Sequence, residues 1–326
     1  MTASGSRDRR NFSVPSISPA AFQQQGGHLR LVGGSGPRSG LPELETAIRI
    51  YGRYLNALRL RGDFAAVRKH VAPLDELTRN PVGKSLTEAR WLLGTALVDL
   101  EEWDQADRAL LDAIREYRRI GKRFEMKRAR ITRVKLLRVR GTAPSRYLCV
   151  ARRVFKSFTK EDQLRQPVLF AGYRMNLPLY MVEAGEVRQA EELWWATPRT
   201  EKAPLEARQI GVGAIIIFAM GRPESAERGF RVVTSRFQDM GMPYDAALFL
   251  LYLGDLLLAT GRLREGEENL FRALRLFERC QLRRHVVEAL DRLREALRLR
   301  EGLRAALALV IARASGIVRR HGEGLG

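Results

Sequence analysis

The sequence predicts an all-α protein: a right-handed superhelix, or α-solenoid, of about six to seven antiparallel helical hairpins. From Pro42 to about Arg320 the apolar residues recur at helical spacing, and no stretch shows the period-two alternation that is typical of strands. A turn residue also recurs about every 40 residues. That regularity indicates stacked hairpins, because a single hairpin can bury its apolar face only against its neighbours.

The repeat is defined by turns with glycine or an equivalent polar residue. They are expected at Gly62, Glu101, Gly141, Gly185, Gly221, Gly261 and Gly302. An apolar or near-apolar residue follows the turn, and a small or apolar residue follows three positions later, as Phe64 and Val67 follow Gly62. Small residues at this spacing predict places where two helices cross closely.

Two segments carry a family resemblance. RWLLGTALVDLEEWDQADRALLDAI (90–114) has a Leu93-Gly94 pair, Trp103 after the turn, and Ala106 and Ala113 at small positions. This pattern resembles the tetratricopeptide repeat. LYLGDLLLATGRLREGEENLFRALRLF (251–277) is similar, but it has Gly266 where the family usually has Ala. The resemblance covers about residues 44–280, with two good repeats and four degenerate ones.

The C-terminal half, from YDAALFLLYLGDLLLATGR onward, also resembles the helical sensor regions of bacterial transcriptional regulators. In that group a DNA-binding head precedes the repeats. Residues 1–40 are too short and too rich in glycine and proline to form such a head. The resemblance therefore implies a bacterial regulatory or scaffold protein without its own DNA-binding domain.

The chain is expected to have three parts. Residues 1–40 form a basic Ser/Gly/Pro-rich tail with few large apolar groups, so we expect them to be mostly disordered, with HLRLV (28–32) as a possible short extended piece. Residues 41–320 form the repeat domain, in which the segment 304–320 is either a capping helix or an oligomer contact. Residues 321–326 form a flexible tail.

Positive charge is concentrated in one region. The chain has 57 Lys and Arg residues against 37 Asp and Glu, a net charge of +20. Between Arg118 and Lys160 there are 16 cations and one acid, so a net charge of +15 falls within 43 residues. An even compositional bias would not concentrate charge in this way, so the region is a candidate binding surface.

The sequence shows no pattern typical of catalysis. The four histidines are isolated from each other and from any cluster with the spacing of metal ligands. The two cysteines, Cys149 and Cys280, are far apart, which fits a reducing cytoplasmic location. No apolar run reaches the length of a membrane span. We therefore expect a non-enzymatic cytoplasmic protein without cofactor, metal site or catalytic residues.

The repeat register predicts the lining of a groove. Arg128, Lys135 and Arg138 share one helix face, which the register turns towards the concave side. The residues predicted to bind a partner are Arg49, Arg59, Arg128, Lys135, Arg138, Met175, Leu179, Phe218 and Leu251. The competing interpretation is that the apolar members belong to the core and the cations form a solvated face.

Such a groove would be basic at one end and apolar at the other. It would suit an acidic or amphipathic segment of a partner protein, which makes the chain an interaction scaffold or regulatory module. The alternative is a nucleic-acid-binding repeat protein that uses residues 118–160 on phosphates. The sequence leaves the oligomeric state open.

Overall fold

The computed structural model describes residues 22–25, 28–31, 40–79 and 85–322. Its helices are α1 (Gly40–Leu60), α2 (Phe64–Arg79), α3 (Ser85–Asp99), α4 (Trp103–Arg119), α5 (Arg123–Val139), α6 (Pro144–Lys156), α7 (Lys160–Arg165), α8 (Pro167–Arg174), α9 (Asn176–Glu183), α10 (Val187–Trp195), α11 (Ala203–Ala219), α12 (Pro223–Asp239), α13 (Pro243–Ala259), α14 (Leu263–Arg279) and α15 (Arg283–Gly322). In the described part of the chain they form six hairpins and one long terminal helix. The predicted all-α solenoid of hairpins is confirmed.

The hairpins stack so that their first helices lie on the inside. Successive first helices contact one another, as α1 contacts α3, α3 contacts α5, and α11 contacts both α9 and α13. No two second helices of the described hairpins make comparable contacts. The array therefore curves around the first helices, whose exposed faces form its inner wall.

Each first helix ends at a residue with a left-handed backbone. At Gly261, where φ is 79°, the Gly261 N–H donates to the carbonyl of Leu258 at 3.1 Å and the Arg262 N–H to that of Leu257 at 2.8 Å. This is the helix ending that glycine permits at least cost. The same backbone occurs at the turn predictions Gly62, Glu101, Gly141, Gly185 and Gly221, which are confirmed.

The small residues mark the closest helix crossings. A Cβ added at Gly94 would lie 2.8 Å from Leu110 Cγ, so α3 and α4 touch there. Ala106 and Ala113 are fully buried. At Gly266, where the repeat pattern departs from its relatives, a Cβ would lie 2.7 Å from Leu258 Cδ2. The departure from alanine is thus explained by an unusually close contact between α13 and α14.

The fourth hairpin is irregular because prolines interrupt its first helix. Pro167 follows Gln166, whose backbone (φ −141°, ψ 61°) leaves the helical region between α7 and α8. Pro178 has no N–H to donate to the carbonyl of Arg174, and the helix is interrupted at Met175, between α8 and α9. Three short helices therefore replace the single helix of about 17 residues seen in the neighbouring hairpins.

The two ends of the array touch. The Phe64 and Tyr244 rings lie 5.7 Å apart. The Arg284 backbone N–H donates to Glu101 Oε1 at 3.2 Å, and the Arg284 guanidinium donates to the Val139 carbonyl. One hydrophobic cluster contains residues from both the first three hairpins and α13–α15. The solenoid is therefore closed on itself.

Two details differ from the sequence prediction. The turn predicted at Gly302 is wrong, because α15 runs unbroken through that residue to Gly322 and residues 304–320 continue it. Residues Phe22–Gln25 and His28–Leu31 form an antiparallel pair of strands, β1 and β2. The rest of the predicted tail up to residue 39, and residues 323–326, lie outside the described residues.

Candidate functional site

The inner wall of hairpins 1–3 contains a buried carboxylate shared by two cations. Asp99, at the end of α3, has a side chain that is 2% exposed. Its Oδ2 lies 2.8 Å from Arg59 Nη1, and its Oδ1 lies 2.6 Å from Lys135 Nζ. Burial alone would raise the pKa of Asp99, but the charges and hydrogen bonds of Lys135 and Arg59 outweigh it and lower the pKa to about 2. Two of the predicted binding cations therefore hold a structural acid.

Arg138 makes the next link along the wall. Its Nη2 lies 2.5 Å from Glu183 Oε1, and Tyr147 donates its hydroxyl proton to Glu183 Oε2 at 2.5 Å. Burial, the hydrogen bond to Glu183 and the charge of Glu183 all raise the pKa of Tyr147, so its phenol stays protonated. The third and fourth hairpins are joined by this ion pair.

Arg128 has a different environment. Its guanidinium carbon lies 3.7 Å from the centroid of the Trp91 ring, a stacked cation–π contact between α5 and α3. The Trp91 Nε1 donates to Thr132 Oγ1 at 3.0 Å, which fixes the indole. Arg128 has no carboxylate within 4.0 Å among the described residues, and its Nε is buried without an acceptor there.

The remaining predicted residues fall into three groups. Arg49 is exposed on α1. Leu179 and Phe218 are half-buried against the cluster of hairpins 5 and 6. Met175 and Leu251 are 1% and 2% exposed. For these last two the competing interpretation applies, since their side chains are used in core packing between helices and offer no surface to a partner.

The basic region is more neutral in the fold than in the sequence. Seven of its 16 cations pair with carboxylates: Arg119, Lys127, Arg133, Lys135, Arg138, Arg140 and Arg152. The other nine have no carboxylate within 4.0 Å among the described residues. Several of these, including Arg146 and Arg153, lie on the exposed outer face of α6.

Sequence reasoning missed a cleft in the fourth hairpin. It has a volume of about 690 Å³ and lies between α6, α10 and the interrupted helices α7–α9. Its apolar lining comes from Phe155, Phe170, Leu177, Met181 and Leu193. The signal that could have revealed it is the pair Pro167 and Pro178 within a segment expected to be one helix.

Metal sites and membrane-spanning helices are two further features that can be checked in the part of the chain that the structure describes. Among them, no group of three or more His, Cys, Asp or Glu side chains is placed to hold a metal ion. In the same part of the chain, no helix combines the length and hydropathy needed to cross a bilayer. On the inner wall of hairpins 1–4, Asp99 and Glu183 pair with Arg59, Lys135 and Arg138, and Arg128 lies on the Trp91 ring.

No protein-family model matches the sequence, and no curated protein is significantly similar to it. Among solved structures, NprR in complex with its cognate peptide NprX is similar with a TM-score of 0.53 and 13% identity, over 79% of this chain and 72% of that one. The STAND protein PH0952 from Pyrococcus horikoshii, which has a tetratricopeptide repeat sensor, is similar with a TM-score of 0.49 and 14% identity, over 79% of this chain and 40% of that one. The apo form of RapI has a TM-score of 0.42 and 11% identity, over 80% of this chain and 74% of that one.

The likeness to NprR is one of fold. Together with the stacked hairpins, the left-handed turns and the close crossings at Gly94 and Gly266, it confirms the resemblance found in the sequence. The chain has the fold of a tetratricopeptide-repeat-like helical solenoid.

Proposed function

We propose that this chain is a non-catalytic protein-interaction module that binds an acidic or amphipathic segment of a partner protein along its inner wall. One observation carries the proposal. The four cations Arg59, Arg128, Lys135 and Arg138 are matched by only two carboxylates, Asp99 and Glu183. The inner wall of hairpins 1–4 thus keeps an excess of positive charge, which favours an anionic ligand.

Solvent reaches these cations even though the ends of the array touch. The side chains of Arg59, Lys135 and Arg138 are 20%, 33% and 30% exposed. Exposed Arg49 and the half-buried Leu179 and Phe218 would extend the surface with a further charge and apolar contacts. A ligand with both carboxylates and apolar side chains would match this composition.

The fold supports a peptide as the ligand. Helical repeat arrays present an extended concave surface that can contact several residues of a bound segment at once. NprR, which shares the fold, was solved with a cognate peptide bound. A regulatory role for the present chain would follow if occupancy of its wall depended on the concentration of one partner.

A peptide library displayed against the immobilised full chain tests the proposal. We expect enrichment of sequences that combine Asp or Glu with apolar residues. The double variant Arg49→Gln/Arg128→Gln should weaken binding of the best peptide about tenfold, since neither cation has a carboxylate partner among the side chains that the structure describes. Arg153→Gln, on the outer face of α6, is the matched control and should leave affinity unchanged. Enrichment without acidic residues would contradict the proposal.

A second function is favoured by one observation: apart from Arg128 on the inner wall, eight cations of residues 118–160 have no carboxylate within 4.0 Å among the described residues. Binding of a short single-stranded DNA or RNA, measured by fluorescence anisotropy at increasing salt, tests it. Binding that falls steeply with salt and is lost in Arg153→Gln, but not in Arg49→Gln/Arg128→Gln, would favour nucleic acid on the outer surface over a peptide on the inner wall.

A further inference from the structure

The cleft of the fourth hairpin exists because that hairpin lacks a continuous first helix. The breaks at Pro167 and Pro178 divide α7, α8 and α9, so the segment does not fill the space between the second helices α6 and α10. Second helices lie on the outside of the array. The cleft therefore opens on a different surface from the inner wall.

The cleft has a preformed apolar interior. Phe170, Leu177 and Met181 line it and are only 9%, 7% and 7% exposed, so they are held by packing on their other sides. The Phe170 ring also lies 5.2 Å from the Phe158 ring. A volume of about 690 Å³ falls in the range of sites for small molecules. Such a space can take a compact hydrocarbon body.

The polar lining is cationic. Arg152, Lys156 and Arg174 contribute to it, and none of the described residues that line the cleft is acidic. Arg152 is neutralised by Glu186, which is not part of the lining, since Arg152 Nη1 donates to Glu186 Oε1 at 3.0 Å. Its Nη2 also donates to Oε1 of the lining residue Gln189 at 2.8 Å. Lys156 and Arg174 have no carboxylate within 4.0 Å among the described residues. Two positive charges therefore remain beside an apolar interior.

We propose that this cleft binds a small amphipathic organic acid, a compound with a hydrocarbon body and a carboxylate. The body lies against Phe155, Phe170 and Met181, and the carboxylate is held by Lys156 and Arg174. Charge complementarity selects the acid, since an uncharged apolar compound would leave both cations unsatisfied. This site is independent of the partner-binding surface proposed above.

Isothermal titration of the full chain with octanoate tests the proposal, with 1-octanol as the uncharged probe of equal length. We expect saturable binding of one octanoate per chain and about tenfold weaker binding of octanol. The double variant Lys156→Ala/Arg174→Ala should weaken the binding of octanoate about tenfold and leave the affinity for octanol unchanged. Arg153→Ala removes an exposed cation from the same helix as Lys156 but outside the cleft, and should bind octanoate like the wild type.

A second variant tests the location without removing charge. Gln163 lines the cleft and is partly exposed. Gln163→Trp places a large ring in the cleft and should abolish octanoate binding, while the midpoint of thermal unfolding stays the same. Absence of saturable octanoate binding would overturn the proposal, as would equal loss in the double variant and in Arg153→Ala. An acidic peptide that binds the wild type but not the double variant, where octanoate does not bind, would assign the cleft to a protein segment instead.

Discussion

Asp99 connects three hairpins through one carboxylate, because Arg59 comes from α1 and Lys135 from α5. A buried carboxylate is costly unless it is paired and hydrogen-bonded, and here both oxygens are paired. The same contacts mean that Lys135 is a poor choice for testing partner binding, since its replacement would also leave part of a buried charge uncompensated.

Asp99→Asn is expected to lower the free energy of unfolding at neutral pH by about 3 kcal/mol, because it leaves two half-buried cations without their counter-charge. The folded pKa of about 2 lies below the ordinary value of 3.8. The stabilisation is therefore present above about pH 4 and is lost as the pH falls towards about 2. The difference between wild type and variant should shrink by about 2 kcal/mol over that interval.

Urea unfolding followed by circular dichroism at several pH values provides the measurement. Asp112→Asn is the matched control, since Asp112 forms an exposed pair with Arg115 on α4 and should contribute under about 1 kcal/mol. A difference between wild type and Asp99→Asn that does not change with pH would show that the carboxylate is not charged in the folded protein.

The ion-pair partners of the individual cations are the feature of the site that the sequence predicted least well. The seven carboxylates that pair with the basic region are Asp99, Asp104, Asp107, Glu116, Asp162, Glu183 and Glu186. All of them lie outside residues 118–160. Glu116 precedes Arg119 by three residues on α4, but folding brings the other six from other segments of the chain. A count of charges along the chain cannot include those six, so the region looked more available for a ligand than it is.

At the scale of the helices, the hairpins depend on a few very close crossings. A Cβ added at Gly254 would lie 2.6 Å from Leu270 Cδ2 and 3.4 Å from the Gly266 carbonyl oxygen. Leu270 is fully buried, and its Cγ would lie only 2.7 Å from the added Cβ. The glycine therefore sets the distance between α13 and α14, although glycine within a helix is normally unfavourable.

Gly254→Ala is expected to destabilise the protein by about 2 kcal/mol, because the added methyl group overpacks the contact with Leu270. Gly302→Ala is the contrasting change, since none of the described atoms lies within 4 Å of a Cβ at that position in α15. It should stabilise by up to about 1 kcal/mol through helix propensity. Thermal unfolding of both variants gives the measurement, and destabilisation of equal size at the two sites would contradict this account.

Local signals explain how far the elements could be predicted. The turns at Gly62, Gly141, Gly185, Gly221 and Gly261 and the Leu-Gly pairs follow from backbone and packing requirements that act within one hairpin. The prediction of a turn at Gly302 was wrong because glycine is tolerated inside an exposed helix as well as at a helix end. Pro167 and Pro178 can be identified in the sequence as helix-breaking residues. The cleft that these breaks open also depends on the positions of α6 and α10, which the sequence does not give.

At the scale of the whole molecule, the main feature is the contact between its ends. Gly62 faces Pro243 and Cys280, with distances of 3.1 Å and 3.4 Å from an added Cβ to Pro243 Cγ and Cys280 Sγ. Arg284 also lies over the Trp103 ring at 5.9 Å. These contacts join positions far apart in the sequence, and repeat periodicity alone does not determine whether an array closes.

Arg284→Glu is expected to open the array. It removes the donor to the Val139 carbonyl and places a negative charge beside Glu101. The radius of gyration from small-angle X-ray scattering should increase, while circular dichroism stays the same because the helices keep their packing within and between neighbouring hairpins. Arg283→Glu, at the exposed neighbouring position, should scatter like the wild type. Identical scattering from Arg284→Glu would show that the apolar contacts alone keep the ends together.

Closure also limits how such a protein can change in length. An open solenoid can gain or lose a hairpin at either end, since each unit contacts only its neighbours. Here the first hairpin and the last share one hydrophobic cluster. An inserted or deleted hairpin would move Phe64 out of register with Tyr244 and expose apolar surface on both sides. Hairpin number is thereby fixed by geometry, and duplication of a single repeat would be selected against in this chain.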